Sequence, residues 1–98
     1  MYILIAADGE LSLHESDNFK AFSIREAVYD SATTRLAGIA TLVEEQHFWL
    51  DANAVIELSG RKEDASWVGQ FWEMLTKVEA YGYADMANKI VKAHVEQA

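Results

Sequence analysis

The 98 residues carry sixteen acidic groups against eight basic ones, a formal charge of −8 with neutral histidines, and no cysteine or proline. Disulfides, thiolate metal sites and thiol nucleophiles are thereby excluded, and the summed negative field disfavours nucleic acid and anionic membrane surfaces as partners. Half of the residues are hydrophobic (51%) and a quarter charged (24%), the balance of a chain that buries a core. One α+β domain over residues 1–98 is expected at this length. Met1 to Ala7 is apolar but short and lacks the basic flank of a signal peptide, and no run reaches the roughly 18 apolar residues of a membrane span, so the expected location is the cytoplasm.

Residues 2–7 and 10–15 flank Asp8-Gly9, the pair that favours a two-residue hairpin turn, because both turn positions need positive φ. Counting outward sets Ala6 opposite Leu11, Leu4 opposite Leu13 and Tyr2 opposite Glu15. Ser23-Ile24-Arg25-Glu26 has the spacing of a capping box and predicts a helix from Ile24 to about Thr33. Leu36–Val43 and His47–Leu50 read as a second hairpin around Glu44-Glu45-Gln46.

Asp51 then caps a short helix over Ala52–Leu58, closed by Gly60. Its rival, a strand continued through Ala54-Val55-Ile56, is disfavoured by Asp51 and Asn53. A long amphipathic helix starts near Asp64 or Ser66 and stops at Gly82. Trp67, Val68, Phe71, Trp72, Met74, Leu75, Val78 and Tyr81 occupy about half of its circumference. So wide an apolar face requires a sheet, a helix or a second copy to cover it. A last helix, from about Ala84 to Glu96, would put Tyr83, Met86, Ala87, Ile90, Val91 and His94 on one side, with Asp85 four residues before Lys89 on the other. The expected architecture is therefore two antiparallel hairpins in ββαββα order, packed against C-terminal amphipathic helices.

Chemistry is sparsely announced. The five glycines are isolated, so neither a dinucleotide fingerprint nor a phosphate loop can be written. His14 beside Glu15 and Asp17, and His47 after Glu44-Glu45, read as solvated side chains rather than metal ligands. His94 falls within the apolar side of the last predicted helix, where a buried imidazole would need a hydrogen-bond partner. Glu79 interrupts the apolar arc of the long helix near Trp72. No metal site, cofactor or catalytic set is expected, and with two lysines against Asp85 and Glu96 the last helix is no nucleic-acid reader.

The aromatic surplus carries the functional expectation. A chain this small seldom hides three tryptophans, and exposed aromatic surface makes partner interfaces and ligand pockets. The first reading is a non-catalytic protein-interaction module, homodimerising or partner-binding, through Trp67, Phe71, Trp72, Tyr83, Ile90 and His94. The alternative is a small-molecule-binding protein or small enzyme, with a pocket between sheet and long helix lined by Trp49, Trp72 and Glu79 and served by His94.

Overall fold

The computed structural model describes every residue except Glu45. A mixed seven-stranded sheet is built from β1 (Tyr2–Ile5), β2 (Leu11–His14), β3 (Ser23–Glu26), β4 (Ala40–Glu44), β5 (His47–Asp51), β6 (Ala84–Asp85) and β7 (Ile90–Gln97). Among the described residues three helices, α1 (Ala32–Arg35), α2 (Ala52–Ser59) and α3 (Ala65–Glu79), accompany it. The strands lie in the order β2-β1-β3-β7-β5-β4, with β6 beside the start of β7. β3 runs parallel to both β1 and β7, and the other pairings are antiparallel. The ββαββα order is thus replaced by βββαββααββ.

The first hairpin forms with a register one residue away from the expected one: Tyr2 faces His14, Ile3 faces Leu13, Leu4 faces Ser12 and Ile5 faces Leu11. The reason lies in the turn. Gly9 N–H donates to Ala6 O at 2.8 Å and Ala6 N–H to Glu10 O at 3.0 Å, while Gly9 takes φ +88°. Those bonds define a three-residue loop ending in a left-handed bulge glycine rather than a two-residue turn. Asp8 Oδ1 fixes it further by accepting from Glu10 N–H at 2.9 Å. A one-residue slip exchanges the faces of a strand, so Ile3 and Ile5, not Leu4, point into the core.

The helix expected from Ile24 to Thr33 is absent, and Ser23–Glu26 is an interior strand with Ile24 and Glu26 buried. Glu26 does accept backbone N–H groups, but from a later segment: Asp30 at 2.8 Å and Ala32, the first residue of α1, at 3.0 Å. Gln97 Nε2 supplies a third donor at 2.7 Å. Only four residues of α1 are helical. The strand read from Leu36 begins at Ala40, because Leu36 to Ile39 turn back on themselves with Ala40 N–H donating to Leu36 O. Its pairing with β5 holds, with a bulge between Leu42 and Glu44, and Glu45 of the expected turn lies outside the described residues.

The two middle helices stand where the sequence sets them. Asp51 caps α2 by accepting from Asn53 N–H at 2.9 Å, and Gly60 closes it at φ +69°. Asp64 Oδ1 accepts from Trp67 N–H at 3.0 Å to start α3, and Gly82, at φ +83°, follows its end. Trp67, Phe71, Met74 and Leu75 of α3 join Ile3, Ile5, Ile24, Leu50 and Val91 in one core. Trp67 and Phe71 stack with ring centroids 5.4 Å apart, and the indole N–H reaches Ser16 O at 2.7 Å.

The last predicted helix is also overturned. Residues 90–97 are a strand lying between β3 and β5, with Val91, Ala93 and Val95 buried and Lys92 and His94 directed to the opposite face. Their pattern repeats every two residues, which a strand requires and a helix does not.

Candidate functional site

Alternation divides the sheet into two unlike faces. Ile3, Ile5, Ile24, Phe48, Leu50, Val91, Ala93 and Val95 face the side on which all three helices bury their apolar residues. The register places Tyr2, Leu4, His14, Arg25, Thr41, His47, Trp49, Lys92, His94 and Glu96 on the other side. Among the described residues no layer covers this second face, and its side chains are half-buried or exposed.

One row across it carries all three histidines of the chain. His14 stands opposite Tyr2, and their rings stack at 5.2 Å and 10°. Arg25 lies over the other part of that pair, its guanidinium 3.8 Å from the Tyr2 ring centroid. His47 and His94 are directly opposed on β5 and β7, ring centroids 6.1 Å apart. Around them His94 Nε2 lies 2.8 Å from Glu96 Oε1, and ion pairs join Arg25 Nε to Glu96 Oε2 at 4.0 Å and Lys92 Nζ to Glu44 Oε1 at 3.5 Å. Such pairs on open surface contribute little individually.

Below the histidines, Trp49 pairs across the sheet with Lys92 and Thr41. With Ile39 and Ile90 it lines a shallow depression of about 500 Å³. It is not the pocket expected between sheet and long helix, because it opens on the face away from α3 and holds Trp49 without Trp72 or Glu79.

The eight expected site residues therefore separate. Trp49, Ile90 and His94 share the bare sheet face. Trp67 and Phe71 are wholly inside, 2% and 0% exposed, and unavailable to a partner. Trp72 is half-buried against the core, with its ring edge-on to Phe71. Glu79 is exposed and accepts from Met86 N–H at 2.8 Å, which explains its interruption of the apolar arc as a clasp on the turn after α3. Tyr83 is 48% exposed and lies beside Phe22, Met74 and Val91 on the helical side. Trp49, Trp72, Glu79 and His94 thus do not line one pocket. Tyr2, His14, Arg25, His47, Lys92 and Glu96 complete the face and were legible only through the period-two pattern of their strands.

Carboxylates elsewhere serve local structure. Trp67 N–H, aided by Arg61, holds the Asp64 carboxyl below its ordinary value, and the Asn88 amide does the same for Asp85. Asp17 raises the Arg61 guanidinium by hydrogen bonding, and the two form an ion pair joining the β2–β3 loop to the α2–α3 connection. Among the described residues no cluster of three or more histidine or carboxylate groups is placed to hold a metal ion. No helix among them is long and apolar enough to cross a membrane. No protein-family model, no curated protein and no solved structure matches this chain.

Proposed function

We propose that this protein is a non-catalytic interaction module that dimerises by packing the bare face of its sheet against the same face of a second copy. The observation that carries this reading is the asymmetry of the sheet: three helices serve one face, while the other presents Trp49, Tyr2 and Arg25 without a layer of its own. Trp, Tyr and Arg are the residue types that concentrate binding energy in protein interfaces.

Charge favours a second copy as the occupant. On this face Arg25 and Lys92 balance Glu44 and Glu96, and Asp51 and Asp85 beside Ile90 at its margin are its other acids, so most of the net −8 belongs to the remaining surface. Two copies meeting elsewhere would oppose acid with acid, whereas here they bring together interleaved charges of both signs. Sheets stacked in this way pack about 10 Å apart, with the side chains of the two faces interdigitating.

Sedimentation equilibrium across the micromolar range tests the proposal. Wild type is expected to approach the dimer mass, and Trp49→Ser and Arg25→Glu to remain monomeric with unchanged far-ultraviolet circular dichroism. A wild-type protein that stays monomeric throughout, or variants that dimerise as well as wild type, would overturn it.

A further inference from the structure

We propose a second binding site on the helical side: the cleft between the Phe19–Phe22 segment and α3 takes a small amphipathic anion, a free medium-chain carboxylate. Two adjoining depressions of about 260 and 380 Å³ meet there, sharing Phe19, Lys20, Met74 and Val78. The inner one continues over Phe22, Tyr83 and Val91, so its floor is apolar, and no acidic side chain lines it. The outer one is flanked by Lys20 on one wall and Lys77 on the other.

The charge pattern selects the head group. Among the described residues the ion pairs engage Arg25, Arg61, Lys62 and Lys92 and leave Lys20, Arg35, Lys77 and Lys89 without a carboxylate partner, and of these four Lys20 and Lys77 border this cleft. Two unpaired ammonium groups border a single apolar cleft in a chain with twice as many acids as bases. Glu73 is the one carboxylate among the lining residues, which leaves the mouth locally positive. A ligand with a hydrocarbon body and an anionic end satisfies both features, whereas a neutral lipid would forgo the lysines and a phosphate the floor.

The walls are fixed before any ligand arrives. The Met1 amino group donates to Asn18 O at 3.2 Å and to Ala21 O at 3.0 Å, and Asn18 Oδ1 accepts from Lys20 N–H at 3.1 Å. On the floor, the Phe19 ring meets Trp67 with centroids 6.0 Å apart, and Met74 is buried. Preorganisation of this kind lowers the ordering cost of binding.

Titration with sodium decanoate, followed by amide NMR, tests the site, with octanoate, butyrate and decanol as comparisons. Saturable shifts are expected at Phe19–Phe22 and Met74–Val78. Affinity should fall about fourfold per methylene removed, as apolar burial dictates. The double variant Lys20→Gln/Lys77→Gln, both residues exposed, should bind decanoate about fivefold more weakly and decanol unchanged. Equal affinity for decanoate and decanol in wild type, an unaltered decanoate affinity in the double variant, or shifts confined to the Trp49 face would each overturn the assignment. The dimer measurement is independent, because neither lysine lies on the bare sheet face.

Discussion

Asp51, Asp64, Glu26 and Gly9 each settle one local choice of the chain. Asp51 and Asp64 begin α2 and α3 by accepting a backbone N–H that no helical carbonyl can reach. Asp51→Ala should cost about 1 kcal/mol in urea unfolding. Asp64 adds a pH signature. Its folded carboxyl lies below the ordinary 3.8 because the Trp67 N–H favours the charged form. The stability it contributes is therefore complete above 3.8 and lost as pH falls through the lowered folded value. The unfolding midpoint of Asp64→Ala is expected below wild type at neutral pH, with the gap closing in that acid window. Glu26 is 1% exposed and satisfies three donors. Glu26→Leu strands the Asp30 and Ala32 N–H groups and should cost about 3 kcal/mol, with faster amide exchange at both; Glu26→Gln, which keeps an acceptor, should cost less. Gly9→Ala requires a positive φ of a substituted residue and drives its Cβ into the Arg35 guanidinium. About 1 kcal/mol is the expected loss.

Elements whose ends are written in local chemistry were legible in the sequence, and those decided by long-range pairing were not. α2 and α3 begin with Asp caps and are followed by glycines at positive φ, so their limits follow from a few adjacent side chains. β3, β6 and β7 are strands where helices were expected, and of these β3 and β7 are interior, parallel neighbours drawn from distant parts of the chain. Ser23 and Glu26 have the spacing of a capping box, but the Glu26 carboxylate serves the Asp30 and Ala32 N–H groups near the start of α1 instead. In β7, Ile90 and His94 share one helical stripe by their spacing, yet Val91, Ala93 and Val95 alternate with Lys92 and Glu96, which is the pattern the sheet selects. The hairpin was visible, but its register hung on whether the turn held two residues or three. The candidate face was legible in part, since Trp49, Ile90 and His94 were named while the strands that unite them were not. One substitution pair discriminates between the two readings of residues 90–97. Val95→Lys should unfold the protein by placing an unpaired charge against the helices, whereas His94→Lys should change stability by less than about 0.5 kcal/mol.

At the scale of the whole molecule, charge and layering act together. Each copy carries −8, and the bare sheet face holds only a small part of it, through Asp51 and Asp85 at its margin, so dimerisation has to work against a long-range repulsion that salt screens. The proposed dimer should therefore tighten between low and physiological ionic strength, a trend opposite to that of a complex held by complementary charge. Light scattering over a salt series reads it directly. The sheet itself has a seam. The β2-β1-β3 group and the β5-β4 pair have no ladder in common, and β7 alone is hydrogen-bonded to both. A chain deprived of residues 90–97 would lose the strand that links its half-sheets by hydrogen bonds and keep only the packing of the helices across them, so neither half should withstand denaturant by itself. Supplying that segment as a separate peptide should restore cooperative melting, much as a missing stave restores a barrel, and the yield of such complementation would measure how tightly one strand governs the rest.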